Sequence, residues 1–155
     1  MEIEGNKYYL NQAEISNNKG LHKIFLMLGA DEKNHETILR NKMVEIPFKL
    51  ISSDTLCEAK SIFNDIGNFK SDIRDIPRQL ELYKMALDKE KQSIDLYTDM
   101  LSKTSEAAER ELFEYLVHQE KQHYEILDNL IMALSRPEEW VESAEFGIMT
   151  TRGEY

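Results

Sequence analysis

A chain of 155 residues is long enough for one domain with a proper hydrophobic core. Few glycines and prolines, set against plentiful Leu, Ile, Met and aromatic residues, favour helices. A formal net charge of −10 argues against nucleic acid and anionic membranes as partners and suits a cation as guest. The single cysteine, Cys57, excludes an internal disulfide and a four-cysteine metal site, and reads as a small buried apolar residue on a helix. With no signal peptide ahead of the helical pattern and no apolar run of about 18 residues, a soluble cytoplasmic protein is expected.

The first predicted helix covers about residues 2–17 and ends at NNKG, where Gly20 suits a left-handed closing position. A second helix spans about 21–43, and Pro47 ends its pattern. A crossover follows with a short helix to about residue 66, capped by Ser53 or Asp54 and stopped by Gly67. The third long helix, about 75–103, carries Leu80, Tyr83, Leu87, Ile94, Tyr97 and Leu101 at alternating spacings of three and four. One rung of that stripe is missing, and Glu90 occupies it. The fourth helix, about 105–134 with Ser105 as cap, carries Phe113, Leu116, Val117, Tyr124, Leu127, Leu130, Ile131 and Leu134. Glu120 and His123 fall in the gap of that stripe. RPEEW then starts a short C-terminal helix near Pro137, with Trp140 as its anchor and an irregular tail behind it. Two short connections and one long crossover describe an all-α four-helix bundle over 1–134, followed by the short helix and tail over 135–155.

The chain also repeats. Glu32 and Glu120 are 88 residues apart, as are His35 and His123. At that offset Phe25 lands on Phe113, Leu28 on Leu116, Ile38 on Ile126, Tyr9 on Tyr97 and Glu2 on Glu90. Each half, about 1–43 and 75–134, is therefore a helix hairpin. It carries one Glu and then a Glu-x-x-His about 30 residues later, and an approximate twofold axis should relate the halves.

Positions i and i+3 share a helix face, so each Glu-x-x-His offers an oxygen and a nitrogen to one point. Two such helices, with Glu2 and Glu90 from the other two, aim four carboxylates and two imidazoles inward. Bare, such a cluster is intolerable, because each buried charge costs several kcal/mol and like charges repel. Two divalent cations would neutralise it. Oxygen-rich ligands with one imidazole per metal suit iron or manganese, with zinc also possible. Tyr9 and Tyr97 sit two turns beyond Glu2 and Glu90 on the same face, either as core packing or as hydroxyls bonded to the ligand carboxylates. His22 and His118 fall off the stripes and are expected at the surface.

The stretches MEIEGNKYY (1–9), DEKNH (31–35), KEKQSIDLY (89–97) and QEKQH (119–123) resemble the rubrerythrin branch of the ferritin-like superfamily, over about residues 1–134. The resemblance implies a ferritin-like bundle, dimeric or larger, holding two irons that react with hydrogen peroxide or dioxygen. It implies Glu2, Glu32, His35, Glu90, Glu120 and His123 as ligands, with Glu32 and Glu120 bridging. Three departures stand out. One cysteine cannot build the rubredoxin-like module, so a separate protein must donate electrons. The extra glutamate expected one turn after Glu90 is Ser93, which argues against a peroxidase that switches ligands. Glu2 stands in the first turn of its helix, where fraying is expected.

The leading expectation is thus an oxidoreductase of peroxidase or ferroxidase type, active in oxidative stress. The alternative is a non-catalytic metal-binding or iron-storage bundle, and a third option is an oxygenase with an apolar channel for an organic substrate.

Overall fold

The computed structural model describes residues 2–45 and 47–136, with side chains described from Glu4 on. The chain runs α1 (Glu2–Ile15), α2 (Lys19–Met43), α3 (Thr55–Ile66), a 3-10 turn at Lys70–Asp72, α4 (Ile76–Lys103) and α5 (Ala107–Ser135). α1 packs along α2 and α4 along α5, while α3, inside the long crossover, leans on α2 and α5. This is the all-α, ferritin-like four-helix bundle expected. Among the described residues no helix is long and apolar enough to cross a membrane.

Apolar side chains at helical spacing close the bundle at two separate heights. The larger core gathers Ile24, Phe25 and Leu28 of α2, Tyr83 of α4, and Ile126, Leu127 and Leu130 of α5. The smaller holds Ile38, Tyr97, Leu112, Phe113 and Leu116. Between them lies a polar layer, because α2 places Glu32 and His35 between Leu28 and Ile38, and α5 places Glu120 and His123 between Leu116 and Ile126. Each buried aliphatic or aromatic side chain contributes about 1.5–3 kcal/mol, so both cores can hold a costly layer between them. The hairpins are stitched by Tyr8, whose hydroxyl donates to the Leu82 carbonyl at 3.0 Å, and by Gln79, whose amide donates to Gln12 Oε1 at 2.6 Å.

The local expectations are corrected at Gly20, Ser105 and Cys57. Gly20 does not close α1. It lies in the first turn of α2, whose start is capped by the Asn18 side chain accepting the Leu21 N–H at 3.1 Å. The reason for a glycine there is packing: a Cβ on Gly20 would stand 2.6 Å from Ile66 Cγ2 and 2.7 Å from Ile62 Cγ2 on α3. Ser105 does not cap α5, which begins two residues later; Glu106 stands at the cap without a side-chain bond, and Thr104 Oγ1 donates to Glu109 Oε1 at 2.6 Å. Of the two residues expected to cap α3, Ser53 does so, its Oγ accepting the Thr55 N–H at 3.1 Å, while Asp54 makes no capping side-chain bond. Cys57 is exposed, because Thr55 and Ala59 define the buried face of α3 and Cys57 points away from it. Gly67 does stop α3, with φ of 59° and its N–H on the Phe63 carbonyl. His22 and His118 lie at the surface. The C-terminal helix expected from Pro137, with Trp140, falls outside the described residues.

Gly20→Ala is expected to destabilise the protein. Overpacking against Ile62 and Ile66 costs about 1–3 kcal/mol, more than the first turn of α2 gains from alanine. A urea titration followed by circular dichroism should show a lower midpoint with an unchanged slope.

Candidate metal centre

Four side chains from three helices converge inside the polar layer. Glu32 on α2, Glu90 on α4, and Glu120 and His123 on α5 each offer one ligand atom, and these atoms lie within 4.8 Å of one another. None is more than 4% exposed. His35 joins them: its Nδ1 is 3.1 Å from Glu120 Oε1 and 3.6 Å from Glu32 Oε2. Its ring stacks on that of His123 at 5.8 Å with 20° between the planes. His123 Nδ1 faces Glu32 Oε1 at 3.2 Å and Glu90 Oε2 at 3.3 Å. Five of the six expected ligands are therefore brought together. Glu2 opens α1, but its side chain lies outside the described residues.

The two tyrosines part company. Tyr9 is buried and its hydroxyl donates to Glu90 Oε2 across the hairpin interface. Tyr97 is buried in the smaller core and stacks on Phe113 at 6.4 Å.

One residue of the site escaped the reading of the sequence. Asp31 Oδ2 lies 2.9 Å from His123 Nε2, on the side of the ring away from the carboxylate cluster. Ser53 in the crossover donates to the same Asp31 oxygen at 3.0 Å. A carboxylate behind a histidine fixes its tautomer and its ring, leaving Nδ1 to face the centre. The available signal was its place directly before Glu32 in DEKNH. The repeat hid it, because the matching position is Gln119, which is buried but neutral. The two halves thus differ in charge at this position of the repeat.

Burial and mutual repulsion shift the proton affinities within this cluster. Burial, and then the Glu90 and Glu32 carboxylates, push the Glu120 carboxyl well above the usual range. Burial alone would lower the His123 imidazole, but Glu90, with Asp31 and Glu32, carries it well above the ordinary value. Burial also raises Glu90 and Asp31, yet in each case the His123 charge and hydrogen bond win and hold the carboxyl below its usual range. Tyr9 is raised well above its ordinary value by burial and by Glu90, so its hydroxyl stays protonated and donates.

This donor set fits a hard or borderline cation. Its oxygens and imidazole nitrogens converge, one imidazole is braced from behind, and Glu90 Oε1 is buried without a hydrogen-bond partner among the described residues. A bound cation would take the place of the protons on Glu120 and His123.

The family model for rubrerythrin matches residues 1–131. No curated protein and no solved structure gives a significant match.

Metal uptake should release protons near neutral pH, because Glu120 and His123 hold theirs above their ordinary values. Apparent affinity therefore falls as pH is lowered. Calorimetry of manganese binding in two buffers of different ionisation enthalpy measures that release. Asp31→Asn is expected to weaken metal binding by about 10–100-fold, and Ser53→Ala by less, read from the same titrations.

Proposed function

The chain belongs to the rubrerythrin family of di-iron, ferritin-like proteins, and on that premise we propose that it is a redox enzyme that oxidises ferrous iron with, or reduces, hydrogen peroxide or dioxygen. The observation that carries the reading is the buried polar layer. Three carboxylates and two imidazoles sit nine-tenths or more buried between two apolar cores, an arrangement whose cost makes sense only with cations in it.

In this reading Glu2, Glu32, Glu90 and Glu120 would hold two metal ions through carboxylate oxygens, and His35 and His123 through ring nitrogens. Bound there, a pair of ferrous ions would supply the two electrons that reduce a peroxide bond. The chain's own residues do the rest. Glu32 and Glu120, facing each other from α2 and α5, hold the ions close together. Tyr9 donates to Glu90 and limits where that carboxylate swings as the charge at the centre changes. Asp31 stabilises positive charge on the His123 ring and keeps its Nδ1 aimed inward. The two apolar cores keep bulk water out, which strengthens every electrostatic contact between them. The acidic surface draws cations toward the bundle. Electrons return from outside residues 1–155, because one cysteine cannot hold a four-cysteine iron. A cytoplasmic location and assembly into homodimers or larger oligomers belong to the same reading.

Protein isolated from cells grown with iron and manganese should carry two metal ions per chain. The ferrous form should be oxidised rapidly by hydrogen peroxide or dioxygen in stopped-flow absorbance. Glu90→Ala and Glu120→Ala should each slow that oxidation by about 100-fold or more. Iron that binds, stays ferrous under peroxide and only raises the melting temperature would make the protein a storage or structural bundle instead.

A further inference from the structure

A cavity of about 270 Å³ runs between α1 and α4 and ends on the candidate centre. Its inner end is formed by Glu32 and Glu90, its walls mostly by Leu82, Met85, Ala86, Tyr8 and Tyr9, with Glu4, Lys89 and Ser93 completing the lining. Larger clefts near Leu96 and Met100, and near Pro47 and Tyr115, are lined by none of the clustered carboxylates. Gly5 helps to make this one: α1 lies so close to α2 that a Cβ there would stand 3.3 Å from the Glu32 carboxyl carbon, so no side chain occupies the inner end.

The walls are mostly hydrocarbon. Three hydroxyl residues line the cavity: Tyr8, whose hydroxyl donates to the Leu82 carbonyl, Tyr9, whose hydroxyl donates to Glu90, and the buried Ser93. Roughly nine waters would fill such a volume at liquid density, and on those walls most would lack the two to four hydrogen bonds that hold an ordered water. Hydrogen peroxide, barely larger than water, leaves the same deficit. A molecule of about ten non-hydrogen atoms fills the space, since a dry cavity of about 150 Å³ already accepts benzene. Such a guest satisfies the site only if it is apolar along its body and polar at the end that meets Glu32 and Glu90.

We propose that this cavity binds a compact apolar molecule with a hydroxyl or hydroperoxyl head, its body against Leu82, Met85 and Ala86 and its oxygen toward Glu32 and Glu90. For the redox reaction this names the substrate class as a small organic hydroperoxide, and that part rests on the redox reading; the binding does not.

The test uses 2-phenyl-2-propanol, an unreactive stand-in for cumene hydroperoxide, titrated into the full chain as isolated and again after chelation. Binding is followed by calorimetry and by ligand-observed NMR. Saturable binding in both forms is expected, weakened at least about tenfold by Ala86→Leu, which fills the cavity. Met85→Trp, a change at a 60% exposed residue of the cavity wall, should weaken it without disturbing the fold. Glycerol, hydroxylated but lacking an apolar body, should not compete. No binding, binding unmoved by both variants, or competition by glycerol overturns the proposal. The two readings fail separately. Binding of the alcohol by a loaded protein that turns over no peroxide leaves the cavity site standing and removes the redox reading. Peroxide turnover without alcohol binding does the reverse.

Discussion

Mutual repulsion among buried carboxylates organises this protein. Glu32, Glu90 and Glu120 sit within a few ångströms of one another in a medium that screens charge poorly, and nothing about the helices that carry them reduces that cost. Protons on Glu120 and His123 offset part of it, and cations would offset more. Everything around the layer serves to keep it assembled. Two apolar cores clamp it from either side, Tyr9 ties one hairpin's carboxylate to the other hairpin, and Asp31 braces His123 from behind.

The bundle itself was legible because its signals are periodic. Apolar residues three and four apart marked the four long helices to within a few residues, and the gaps in those stripes marked Glu90, Glu120 and His123 as residues the core could not easily tolerate. The repeat made the reading stronger than any single motif. What stayed hidden depends on contacts between elements far apart in the chain. Gly20 looks like a helix terminator in isolation, and only the approach of Ile62 and Ile66 on α3 explains it as a packing glycine. Cys57 looks apolar enough to bury, but the face α3 turns inward is set by Thr55 and Ala59. Ser105 reads as a cap by residue type, yet α5 starts where the Thr104–Glu109 bond turns the chain.

Asp31 shows a different kind of blindness. A search for repeat-related pairs finds what the halves share and passes over what they do not. The departure from symmetry, Asp31 against Gln119, gives one histidine an anionic support that the repeat position of the other lacks. Two metal positions built from the same motif would then differ in electron richness, and it is the crossover, through Ser53, that reaches the richer one.

The division of the apolar interior into two cores has a mechanical consequence. The bundle is two small packed ends joined at a polar waist, and across that waist cohesion is electrostatic. With cations present, the waist transmits strain from end to end and the helices melt together. Stripped of them, each end has only its own modest core to rely on. Metal occupancy then governs whether the protein comes apart in one event or in two.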